Sequence, residues 1–109
     1  KHLINMIVQI NTDKNVKGSE EFIESSKSSI DAQLERYKEM ITRVEVHFSD
    51  EDGNKDGINS KRCMIEARLE GKQPIAVKNM ADTNELALLG ALDKLNSSLN
   101  TIVGRMKTF

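Results

Sequence analysis

Between His2 and Asn11, the apolar residues Ile4, Met6, Val8 and Ile10 interleave with Leu3, Asn5, Ile7, Gln9 and Asn11. This is the two-residue period of a strand covered on one face, with Leu3 and Ile7 making the other face partly apolar. A polar, turn-like stretch from Thr12 to Gly18 follows, and then Ser19 offers helix-start chemistry with Glu20, Glu21 and Glu24 behind it. Those carboxylates sit where a helix N-terminus exposes N–H groups and the positive end of its dipole. Ile23, Ser26, Ile30, Leu34, Tyr37 and Ile41 keep a three-four spacing, which predicts an amphipathic helix from Ser19 to about Met40. The serines at 25, 26, 28 and 29 weaken it.

From Thr42 to Ser49 the period returns to two, with Val44, Val46 and Phe48 on one face and Arg43, Glu45 and His47 on the other. A third strand from Lys61 to Gly71 turns Cys63, Ile65, Ala67 and Leu69 inward and Arg62, Met64, Glu66 and Arg68 outward. Gly71, Lys72 and Gln73 read as a hairpin turn. Pro74 to Met80 gives a short fourth strand with Ile75 and Val77 inward, its proline suited to an edge or to a first position. With Asp82 as its N-cap, the spacing of Leu88, Leu92, Leu95, Leu99, Ile102 and Met106 specifies a long second helix that frays near Gly104. The order is therefore β-α-β-β-β-α. Two amphipathic helices that each need an apolar partner predict an α+β fold, a four-stranded sheet with both helices packed on one face, as in double-stranded-RNA-binding domains.

Length adds that residues 1–109 form a single domain, since a chain of this size buries roughly two-thirds of its unfolded surface in one core. Cys63 is the only cysteine and no apolar run is long enough for a membrane span, so the expected compartment is the cytoplasm, with no membrane partner. Sixteen Lys and Arg against seventeen Asp and Glu give a net charge of −1, so any basic site must be a local patch. The first helix carries Lys27, Arg36 and Lys38 against six acids, whereas the second balances Lys94, Arg105 and Lys107 against Asp82, Glu85 and Asp93. In the second helix the acids come early and the bases late, an order that suits the macrodipole.

No catalytic set appears at recognisable spacing, and the expectation is a protein that is not an enzyme and needs no cofactor. His47 faces outward and Cys63 inward, so they do not form a nucleophile and base. Asp52 to Gly57 resembles the first half of a calcium loop, but the twelfth position, where a bidentate glutamate would close the site, is Cys63, and no helix pattern flanks the loop. It reads as a polar hairpin loop without a metal.

Two stretches carry a family resemblance. Leu34-Glu35-Arg36-Tyr37 followed by Ile41-Thr42-Arg43-Val44-Glu45-Val46 is similar to the helix-to-strand junction of the ribosome hibernation-promoting factor and ribosome-associated inhibitor family, also called sigma-modulation proteins. Residues 65–95, IEARLEGKQPIAVKNMADTNELALLGALDKL, resemble that family's third strand, glycine turn, fourth strand and final helix with its Asp93-Lys94-Leu95. The resemblance covers nearly the whole chain and implies the same β-α-β-β-β-α fold. It further implies a translation inhibitor that occupies the small ribosomal subunit near the decoding region under stress, with the subunit and its ribosomal RNA as partners. Since the chain ends at Phe109, without the C-terminal dimerisation domain of the long form, the short form is expected.

The RNA-binding residues expected on this basis are Lys94, Arg105 and Lys107, which match the family's basic pattern, with Lys27 and Arg36 placed by helix face. Relatives usually carry further Arg and Lys where this chain has Asn96, Ser97, Ser98, Asn100 and Thr101, and the aromatic expected near Thr83 and Glu85 is absent. The alternative is a diverged member acting as a protein-interaction or self-association module without ribosome binding. Apolar Leu3, Ile7 and Met64 on the open sheet face would then allow a homodimer.

Overall fold

The computed structural model describes residues 6–14, 16–51 and 59–106. Period-two alternation becomes four strands and the three-four spacing becomes two helices, in the order β1 (Ile7–Thr12), α1 (Glu20–Gln33), β2 (Ile41–Asp50), β3 (Lys61–Leu69), β4 (Ile75–Ala81) and α2 (Asn84–Met106). The strands lie in that same order across one sheet. β1 runs parallel to β2, as a strand joined to its neighbour through a helix can, while β2–β3 and β3–β4 are antiparallel. β4 is an edge strand, and Pro74 sits just before its first residue, where no ladder N–H is lost.

The register fixes which side chains share a face. Val8, Val44, Ala67 and Ile75 form one row across the sheet, and Ile10, Val46, Ile65 and Val77 form the next. Both helices cover this face. Phe22 of α1 meets Phe48 of β2 edge to face, with ring centroids 4.9 Å apart. Leu88, Leu92, Leu95 and Leu99 of α2 close the core over β3 and β4, together with Ile30, Leu34 and Ile65. Each such side chain contributes about 1.5–3 kcal/mol by leaving water. The opposite face is open and carries Gln9, Arg43, Glu45, His47, Met64, Glu66 and Arg68. There Ile7 and Met64 are exposed as expected, while Leu3 and the rest of residues 1–5 lie outside the described residues.

Two boundaries differ from the sequence reading for a tertiary reason. The first helix ends at Gln33, not near Met40, and passes through a 3-10 turn at Glu35–Tyr37 before Ile41 opens β2. A continuing α-helix would aim the Tyr37 N–H at the Gln33 carbonyl. Here that carbonyl accepts from Asn96 Nδ2 of α2 at 3.0 Å, and the Tyr37 N–H donates to the Leu34 carbonyl at 2.9 Å. Leu34 and Tyr37 stay buried because a spacing of three also suits the tighter turn.

The cap of α2 is Thr83, whose Oγ1 accepts from the Leu86 N–H at 3.1 Å. Asp82 is engaged elsewhere, its Oδ1 accepting from the backbone N–H of Asn59 at 2.7 Å. Gly104 lies within α2, which continues to Met106. At the N-terminus of α1 the expectation holds, with Ser19 Oγ accepting from the Phe22 N–H at 3.1 Å. The β2–β3 hairpin is closed at its base by Lys61 Nζ on Asp50 Oδ2 at 2.6 Å and by the Glu51 N–H on the Ser60 carbonyl. The Asp52 to Gly57 segment lies outside the described residues.

Candidate nucleic-acid interface

A site that grips a polyanion needs cations that are exposed and not spent on neighbouring acids. Among the described residues the side-chain ion pairs are Lys38–Glu35, Arg43–Glu45, Lys61–Asp50 and Arg68–Glu66. Three of the four cations are in the antiparallel part of the sheet, and Arg43 also bonds Gln9. The Arg43 guanidinium, hydrogen-bonded to Glu45, holds that carboxyl below its ordinary range. Arg43 and Arg68 on the open face are thus matched by Glu45 and Glu66, while Arg62 and Lys78 share that face by register without a side-chain ion pair among the described residues.

Three further cations, Lys72, Lys94 and Arg105, lie along α2 and the β3–β4 turn, with no side-chain ion pair among the described residues. Lys94 and Asn96 are two residues apart on α2 and so about 200° apart around it. Asn96 turns to α1, reaching the Gln33 carbonyl, and Lys94 turns the opposite way, its Nζ donating to the Lys78 carbonyl of β4 at 2.8 Å. Arg105, eleven residues on and three turns further down the same flank, borders a cleft with Lys72 and Gln73 of the β3–β4 turn. Gly71, with φ of +73°, makes that turn possible in a conformation that side chains disfavour. Lys72, Lys94 and Arg105 thus follow the seam between α2 and the edge strand, all exposed, while Lys78, whose carbonyl Lys94 meets, shares the open face with Met64.

The seam depends on how closely α2 settles on the sheet. Asn79 points from β4 towards the helix, its Nδ2 donating to the Ala87 carbonyl at 3.5 Å, and Gly90 passes over the same carboxamide. A Cβ at position 90 would stand 2.6 Å from Asn79 Cγ, so only glycine permits this approach.

The expected site residues therefore divide. Lys94 and Arg105 share a flank, as their eleven-residue spacing predicts. Lys27 is half-buried on α1, and Arg36, on the 3-10 turn, lies 5.3 Å over the Tyr37 ring. Both belong to the α1 side of the molecule, across α2 from Lys94, and exposed Glu20, Glu21, Glu24 and Asp31 share that helix with Lys27. Lys107 lies outside the described residues. The sequence reading missed Lys72 and Lys78. Running α2 antiparallel to β4 would have found them, since Lys78 alternates outward on an edge strand and Lys72 occupies the turn next to the helix end.

Other chemistry has little to work with. Cys63 is fully buried and desolvation pushes its thiol up to about 12, so no thiolate nucleophile is present at neutral pH. Among the described residues no three His, Cys, Asp or Glu side chains are grouped to hold a metal ion, and no helix is long and apolar enough to cross a membrane.

Comparisons with known proteins agree with this architecture. A family model described as sigma 54 modulation protein / S30EA ribosomal protein matches residues 9–107. A solved structure of a ribosomal subunit interface protein from Coxiella burnetii is similar at 18% identity and a TM-score of 0.69, covering 91% of this chain and 99% of that one. The N-terminal domain of Protein Y from Thermus thermophilus is similar at 20% identity and a TM-score of 0.67, covering 90% of this chain and 98% of its own. No curated protein sequence matches.

Proposed function

Because the chain belongs to the sigma 54 modulation protein / S30EA ribosomal protein family, we propose that it associates with the small ribosomal subunit near the decoding region. There it holds ribosomes inactive under stress by occupying the place of messenger and transfer RNA. The action is steric, in the cytoplasm, and needs neither a catalytic group nor a cofactor. The observation that carries this reading is the seam of exposed cations, Lys72, Lys94 and Arg105, with Lys78 on the open face of the adjoining edge strand, none of them ion-paired among the described residues. Ribosomal RNA phosphates are the complementary surface. Lys27 and Arg36 supply contacts from the α1 side, and Lys107 is a further candidate by sequence alone.

Co-sedimentation with purified small subunits at two salt concentrations tests the proposal. Association should weaken steeply with salt, and replacing Lys94, Arg105 and Lys107 together by alanine should flatten the logarithmic dependence by about one unit per lost phosphate contact. Lys38→Ala, which removes a cation already matched by Glu35, should change little. Absence of co-sedimentation at low salt would refute the reading. A second reading, a homodimer through the open sheet face without ribosome binding, draws on exposed Ile7, Met64 and Met80 there. Light scattering that shows a monomer at every concentration removes it.

A further inference from the structure

Where the β3–β4 turn leans over the last turns of α2, the surface folds into a cleft of about 460 Å³ lined by Lys72, Gln73, Ile102, Arg105 and Met106. Its volume falls in the range of roughly 300–1,000 Å³ typical of small-molecule sites. None of the five lining residues is acidic. Two are cations on exposed stems, two are apolar, and the fifth carries a carboxamide that can both donate and accept.

That combination matches one unit of single-stranded nucleic acid. A phosphate needs the two cations. A nucleobase needs an apolar or planar platform, which Ile102, the Met106 thioether and the face of the Arg105 guanidinium provide; sulfur and guanidinium both pack favourably on aromatic rings. The edge of a base needs hydrogen-bond partners, and Gln73 supplies them. The exposed surface of α1, with Glu20, Glu21, Glu24 and Asp31, disfavours phosphate instead. Duplex RNA, read through its backbone across a broad shallow groove, has no protruding base to fill such a cleft.

We infer that this cleft takes a single unstacked nucleotide of RNA, with its base on Ile102 and Met106 and its phosphate between Lys72 and Arg105. The inference deepens the proposal of a ribosomal RNA partner and rests on it, assigning a base-holding subsite at one end of the seam. The rest of the seam then contacts backbone alone.

Titration of the protein with a short single-stranded oligoadenylate, followed by the methyl NMR signals of Met106 and Ile102, tests it, with inorganic phosphate as the comparison. Both methyls should shift with the oligonucleotide, through the ring current of the base, and stay in place with phosphate. Met106→Ala should weaken oligoadenylate binding about tenfold, the low end of what stacking one base contributes, without changing the salt dependence. Lys72→Ala and Arg105→Ala should each weaken it and flatten the salt slope by about 0.7. Methyl signals that do not move, or a Met106→Ala variant that binds like the parent, overturn the cleft. Either result leaves co-sedimentation with small subunits to decide the broader proposal separately.

Discussion

Replacing Gly90 by alanine should destabilise this protein even though the position lies in the middle of a helix. In an open helix the change gains about 1 kcal/mol from propensity. Here the new methyl would lie 2.6 Å from Asn79 Cγ and 3.1 Å from its Oδ1, closer still to Nδ2, in a half-buried seam between α2 and β4. Either the carboxamide swings away, losing its bond to the Ala87 carbonyl, or α2 lifts from the sheet. Overpacking costs roughly 1–3 kcal/mol and the lost hydrogen bond up to about 1, so the net loss should be about 1–2 kcal/mol. In thermal unfolding that is a fall in Tm of roughly 4–10 °C. The Asn79→Ala background removes the obstacle, and Gly90→Ala made there should recover the propensity gain. A Gly90→Ala variant as stable as the parent, or the same loss in both backgrounds, would refute the argument. Because the lift would also draw Lys94 from the Lys78 carbonyl, the same variant should weaken association with ribosomal subunits.

Two further outcomes follow from buried groups. The Cys63 thiol stays protonated up to about pH 12 in the fold but ionises near its ordinary 9.0 when unfolded, so the stability it confers is complete below pH 9 and is lost as pH rises between those values. Urea melts of parent and Cys63→Ala should diverge by about 1.4 kcal/mol per pH unit in that window, and parallel curves would contradict it. Tyr37 buries a hydroxyl with no hydrogen-bond partner among the described residues, so Tyr37→Phe should be neutral or stabilising, by up to about 1–3 kcal/mol. A clear loss in denaturant melts would count against it.

The parts of the fold that were legible in the sequence are those set by local periodicity. Val44, Val46 and Phe48, and Cys63, Ile65, Ala67 and Leu69, announced their inward face by alternation alone, and all are buried. The family resemblance, carried by the junction at residues 34–46 and by residues 65–95, agrees with a family match over 9–107. What local pattern could not supply were partners distant in the chain. The end of α1 depends on Asn96, and the choice of Thr83 over Asp82 as a cap depends on Asn59. The parallel pairing of β1 with β2 is likewise a non-local choice. In the candidate interface, Lys94 and Arg105 were legible because both lie on one helix. Lys72 was not, since its place in the seam comes from packing between elements.

The bond from Lys94 to the Lys78 carbonyl has a consequence for keeping the chain soluble. A strand at the border of a sheet offers a row of unused donors and acceptors, a template on which another strand can add and from which fibrils grow. On β4 the acceptor of Lys78 is already occupied by an ammonium that no incoming backbone can displace without meeting its charge. A second copy adding antiparallel about Lys78 would also bring two lysines face to face. The Lys94 ammonium therefore guards the border of the sheet against its own kind.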